Sequence, residues 1–184
     1  MMAPTHVAVS LALALPVALV APEFSTAAVV GAVLGGTAPD LDLLVGQHRR
    51  TLHFPVLLWP VAVLAGVAAL LAPSALSVGA ALAVVAAAVH SASDVLGAGE
   101  ELRPWERTNP NAVYDHARGR WLAARYVVRY DGAPEDLALT VLFAAPVALL
   151  LTGPPRWLAV GVIAVAIPYA VLRKRLPKYF ARIV

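Results

Sequence analysis

The sequence predicts an all-α fold, a polytopic membrane helix bundle of about six apolar helical segments. Three observations predict it. Of the 184 residues, 60% are hydrophobic and only 14% charged, against roughly 45–50% and ~25% in soluble domains. The apolar residues gather into six runs. Thirteen of the fourteen Lys and Arg residues fall between alternate runs or beyond the last one, the bias that marks cytoplasmic loops.

The runs lie at Val7–Ala21, Thr26–Ala38, Phe54–Ala72, Ala75–Leu96, Leu137–Leu151 and Trp157–Leu172. About 20 apolar residues cross the hydrocarbon layer, so runs three, four and six read as spans. Runs one and two are shorter, with Ala21-Pro22-Glu23-Phe24-Ser25 between them. They predict a tight spanning hairpin or a re-entrant pair, with both outer ends on one side. The excess of Ala, Gly and Val suits helices that pack through small residues. Residues 1–184 read as one membrane-embedded domain, with 97–134 as an interfacial segment within it. That segment mixes Trp105, Tyr114, Trp121, Tyr126 and Tyr130 with arginines, a composition suited to the headgroup level, and it is placed to cover a site as a lid.

Charge sets the direction of the bundle. Arg49 and Arg50 follow run two, six arginines lie in 97–134, and Arg173, Lys174, Arg175, Lys178 and Arg182 follow run six, leaving Arg156 alone on the other side. Both termini are therefore expected in the cytoplasm and the chain in the cytoplasmic membrane. Met1-Met2-Ala3-Pro4-Thr5-His6 lacks the basic region of a secretory signal, so run one is expected to stay in the mature protein. The absence of cysteine excludes disulfides and thiolate metal sites.

The same placement brings His6, Asp40, Asp42, His48, His53, His90 and Asp94 to one face of the membrane. Ionisable groups beside hydrocarbon are costly unless paired, wetted or metal-bound. His90 and Asp94, four residues apart, share a helix face and can point at one ion; the simpler alternative is a His–Asp hydrogen bond. Asp40 and Asp42 follow Gly35-Gly36-Thr37-Ala38-Pro39. In extended chain they would lie on one side; in a loop they could bracket a metal or orient a ligating histidine, or form a solvated turn. His48-Arg49-Arg50-Thr51-Leu52-His53 supplies two imidazoles and two guanidiniums. The guanidiniums suit a phosphate, or serve only as topology determinants. His6 taken alone suits a structural role at a helix start. Asp131-Gly132-Ala133-Pro134-Glu135-Asp136 reads as the cap and first turn of the fifth helix, and His116 as an exposed residue. With imidazole and carboxylate as the ligand types, zinc, manganese or iron fits.

This order of motifs resembles the YdjM-like family of membrane-bound, metal-dependent hydrolases, also known as LexA-binding, inner-membrane-associated hydrolases. It comprises an N-terminal histidine, Pro-Asp-x-Asp after a Gly-containing helix, His-Arg-x3-His before a helix, and His-x3-Asp near the end of another. The likeness runs from His6 to about Trp105. Leu43, Arg50 and Leu52 stand where the family usually has His, Gly and Thr. The His-x3-Asp helix is more distantly similar to that of zinc-dependent phospholipases C. Residues and resemblance together imply a hydrolase in which His6, Asp42, His53, His90 and Asp94 hold one or two divalent metals, zinc foremost. Asp40 or His48 would act on water, and Arg49 and Arg50 would bind a phosphoester or lipid-like substrate. Membrane lipids are the expected partners; nucleic acid is not. The same residues also fit a non-enzymatic scaffold or regulatory binding protein around a structural metal or polar cluster. A small transporter fits less well, because its site would lie near the midplane.

Overall fold

The computed structural model describes residues 1–180; Arg182 of the basic tail lies outside the described residues. Each of the six apolar runs forms a helix. α1 (Ala3–Val20) places Pro4 in its first turn, where a missing N–H breaks no helix bond. A 3-10 turn, Pro22–Phe24, reverses the chain into α2 (Ser25–Thr37), which tightens into a second 3-10 turn at Ala38–Leu43. α3 covers Leu58–Leu71 and α4 Ala75–Ser93. The hydroxyl of Ser74 accepts the Ser77 N–H while the Ser77 side chain accepts the Ser74 N–H, a reciprocal cap that starts α4 just past Pro73. α5 (Pro134–Leu150), α6 (Pro154–Leu172) and the short α7 (Pro177–Phe180) complete the helices.

Among the described residues, four stretches are long and apolar enough to cross a membrane: Ala3–Val20, Pro22–Leu43, Ala75–Leu96 and Pro154–Leu172. The first two are antiparallel, and each has membrane-spanning length. Run three corrects an expectation. Its helix has only 14 residues, about 21 Å at 1.5 Å per residue, because turns carry the chain from Pro55 to Leu57 before α3 begins.

Small residues set the packing. A Cβ added to Gly31 would lie 2.0 Å from the Gly79 carbonyl oxygen, and one on Gly35 would lie 1.8 Å from that of Ala83. α2 and α4 therefore meet backbone to backbone, the close approach that glycine allows in membrane helices. Around them the core is largely alanine, including Ala8, Ala14, Ala28, Ala32, Ala86, Ala144 and Ala159. α1 packs against α2, α4, α5 and α6. Its first turn is pinned to α5. Asp136 accepts the Met2 N–H at 2.8 Å, the Gly132 N–H at 2.9 Å and the Thr5 hydroxyl at 2.6 Å.

Asp136 therefore ties two helices together. The expected side-chain cap of α5 is not formed: Ala133 occupies the cap position without a side-chain bond. Asp131 instead accepts from Tyr169 and, at 2.6 Å, from Arg173 at the end of α6. These ties and the site contacts below bring the starts of α1 and α5 and the ends of α2, α4 and α6 to one end of the bundle.

The polar segment lies at that end and departs from an all-helical fold. Strands β1 (Asn111–Asp115) and β2 (Arg120–Ala123) form an antiparallel hairpin, turning at Gly119 with φ +64°. The Tyr114 N–H donates to the Arg49 carbonyl at 2.9 Å, and the chain after β2 bonds to Val95, Leu96 and Gly97 just past α4. The hairpin lies against the loop that carries His48 and His53.

Candidate metal centre

The site is built where α2 gives way to its 3-10 turn. Pro39 has no N–H to offer the last carbonyls of α2. The Gly36 carbonyl accepts Nδ1–H of His90 at 2.7 Å. Since a carbonyl only accepts, that bond fixes the proton on Nδ1 and leaves the Nε2 lone pair pointing inward. In a 3-10 helix each residue advances about 120°, so Asp40 and Asp42 diverge where extended chain would have aligned them. Asp40 faces the Nε2 atoms of His90, at 3.3 Å, and His53, at 3.9 Å. Asp42 faces the opposite, Nδ1 edge of His53, and Nδ1 of His48.

Asp42 is buried and spends both oxygens on imidazoles. One accepts Nδ1–H of His48 and the other Nδ1–H of His53, each at 2.8 Å. Its second oxygen also takes the Leu52 N–H at 3.3 Å. A carboxylate behind a histidine fixes the ring's tautomer and orientation. The Nε2 atoms of His48 and His53 are thereby left as acceptors.

Asp94, at the end of α4, closes the cluster. Its Oδ1 lies 3.2 Å from Nε2 of His6, and its Oδ2 lies 3.2 Å from Nε2 of His53 and 3.8 Å from Nε2 of His90. The His6 and His90 rings stack at 3.6 Å between centroids. Met1 N also contacts Asp94 at 3.2 Å. His6, His53, His90, Asp42 and Asp94 are all buried.

Two ligand sets can be drawn here: His6, His90 and Asp94, all buried, and Asp40, His48 and His53, more open. Their fit to a cation rests on orphaned atoms. The buried Nε2 atoms of His53 and His90 have no hydrogen-bond partner, a costly state for a polar group. Donors about 2.0–2.1 Å from a tetrahedral ion stand roughly 3.3 Å apart, close to the nearest separations here. Imidazole nitrogen and carboxylate oxygen suit zinc, manganese or iron. Burial opposes a charged His53, but the nearby Asp94 and Asp42 carboxylates outweigh it and hold its pKa above the ordinary value.

The two arginines part company. Arg49 is buried, with a left-handed φ of 58°, a strained conformation for a residue with a side chain. Its Nη1 donates to the Ala98 carbonyl at 2.6 Å, while Nε lies 3.8 Å from Asp94 with no hydrogen-bond partner. Arg50 turns outward, its guanidinium 4.5 Å from the centre of the Tyr114 ring and bonded to Gln47. His116 donates to the Arg50 carbonyl at 2.6 Å.

Two cavities, the first of them polar, reach the cluster. One, of 180 Å³, is lined by His48, Arg49, Glu100, Asp131 and Arg173 among others; burial pushes the Glu100 carboxyl above its usual range. The other, of 380 Å³, reaches Asp40, His48 and Arg49 from the gap between α1 and α6. Arg50 lines neither. Sequence reasoning did not find the roles of Gly36 and Asp136. Pro39, three residues past Gly36, was the one local signal for the role of that carbonyl.

Fold and site together define a helical protein with, among the described residues, four helical stretches of membrane-spanning length and a buried histidine–aspartate cluster able to hold a metal ion. No protein-family model, curated protein or solved structure matches the chain.

Proposed function

We propose that the chain is a membrane-bound, metal-dependent hydrolase acting on a phosphoester or lipid-like substrate at the cytoplasmic face, as its likeness to the YdjM-like family suggests. The orphaned Nε2 atoms of His53 and His90, converging on Asp40 and Asp94, carry this reading. In it, all six helices α1–α6 lie in the cytoplasmic membrane with both termini inside, in keeping with the Lys and Arg distribution.

His6, His53, His90, Asp40 and Asp94 would hold one or two divalent ions, zinc foremost. Such an ion lowers the pKa of water and polarises a phosphoryl oxygen. The remaining steps belong to the chain's own residues. His48, held by Asp42 through Nδ1–H, accepts the proton of the attacking water at Nε2. As the water oxygen bonds to phosphorus, the ester P–O bond breaks and the imidazolium returns its proton to the leaving alkoxide. Asp42 stabilises the imidazolium between these transfers, and Arg49 neutralises the phosphoryl oxygens.

The test is metal analysis of detergent-purified protein under non-chelating conditions, followed by a panel of phosphoester, ester and amide substrates. Stoichiometric metal with phosphoester turnover is expected. A metal-free wild type sinks the reading, and bound metal with no turnover across the panel favours a scaffold.

A further inference from the structure

The cavity between α1 and α6 changes character along its length. Its lining joins the cluster residues Asp40, His48 and Arg49 to the apolar Leu43, Pro4 and Val165, and Leu43 and Val165 are its exposed members on the apolar side. Val165 is 60% exposed on a helix long and apolar enough to cross a membrane, so the outer mouth opens toward hydrocarbon. Val165, Tyr169 and Arg173 follow one another at four-residue steps along one face of α6. That face passes from apolar, through the Tyr169 hydroxyl held by Asp131, to the guanidinium lining the polar cavity. The two cavities share His48, Arg49 and Asp131. Arg49 stands at that junction, nine-tenths buried, lining both cavities, with its Nε 3.8 Å from Asp94 and making no hydrogen bond. A buried guanidinium with a free N–H favours an anion.

We infer that the site is two-mouthed and takes its substrate sideways from the bilayer: an amphiphile with one hydrocarbon chain, its anionic phosphate head held by Arg49 and its tail leaving past Val165 between α1 and α6. The polar cavity on the far side of Arg49 admits water and releases the hydrophilic product. This rests on the hydrolase reading and adds the substrate's shape and route. Arg49 is the binding arginine in it, and Arg50, turned onto Tyr114, is not.

The chain has no cysteine, so Val165→Cys provides a unique thiol that can be blocked after folding with a bulky maleimide. Zinc-loaded protein in phosphatidylcholine nanodiscs is titrated with dodecyl phosphate and, separately, with inorganic phosphate, before and after labelling. Val160→Cys, exposed elsewhere on α6, is the control. Labelling at 165 is expected to weaken dodecyl phosphate by about tenfold or more, the scale of an overpacking clash, and to leave inorganic phosphate unchanged. Labelling at 160 should change neither. The inference is overturned if dodecyl phosphate binds equally well after labelling at 165, if both ligands weaken equally, or if dodecyl phosphate does not bind the unlabelled protein. Metal content of the same samples separates the two levels. Any of these results with zinc retained breaks the lateral route alone; absence of zinc breaks the hydrolase reading and the route with it.

Discussion

The two halves of the cluster are built differently. His6, His90 and Asp94 stand on α1 and at the end of α4 and are buried; Asp40, His48 and His53 stand on the 3-10 turn and loop between α2 and α3, where Asp40 and His48 are partly exposed and His53 is buried. The helix-borne half is fixed by packing: α2 meets α4 through Gly31 and Gly35, and the Gly36 carbonyl then orients His90. The loop-borne half has no such frame. Asp42, with bonds to His48, His53 and Leu52, holds it from inside, and the hairpin holds it from outside through Tyr114 and His116. Rigid ligands come here from backbone contact, adjustable ones from hydrogen bonds.

Breaking the packing should have the largest effect. Gly35→Leu forces α2 off α4, since even a Cβ would lie 1.8 Å from a backbone oxygen; a loss on the order of 3 kcal/mol is expected. Size-exclusion profile and thermal midpoint would both register it, and a normally folded variant would deny that this contact frames the site. His90→Ala should come next. It removes a proposed ligand while leaving the glycine contacts in place. Zinc affinity should fall by more than about 100-fold, beyond the range for groups that only orient ligands, with the thermal midpoint of the metal-free protein little changed.

Asp42→Asn tests the loop-borne half. An amide can accept from one imidazole but not from both as a carboxylate does, so zinc affinity should fall about 10–100-fold in a protein that remains folded. A loss equal to that of His90→Ala would erase the proposed distinction between ligand and orienting group. His116→Ala should matter least. It deletes one hydrogen bond, worth about 1 kcal/mol, and should loosen the loop without changing metal stoichiometry, as equilibrium dialysis would show.

Helices were legible wherever apolar runs were long, because burial and span length leave the same mark on composition. Run three misled at its start: Phe54 and Pro55 are apolar, yet proline and the turn after it postpone α3 to Leu58. The hairpin was hidden because its strands are short and set among arginines. Its signal was local, with Val113 and Tyr114 facing Trp121 and Leu122 across Gly119. The seven cluster residues were conspicuous as charges beside hydrocarbon, but their separate parts were not. Asp40 and Asp42 look equivalent as letters, and only the 3-10 twist sends one toward the Nε2 atoms and the other to the Nδ1 atoms. Asp136 read as helix-start chemistry because its partner, Thr5, lies 131 residues away.

That separation has a consequence for biosynthesis. The first turn of α1 carries Thr5 beside His6, and the turn's buried polar partner is not made until α5 is. At about 5–20 residues per second of synthesis, the interval is roughly 7–25 s. During it His6 belongs to a helix whose start reaches Asp94 through the Met1 amine once α4 is made, but still lacks its bonds to Asp136. The cluster therefore takes its final anchorage late on the growing chain, from a helix that contributes no residue to it.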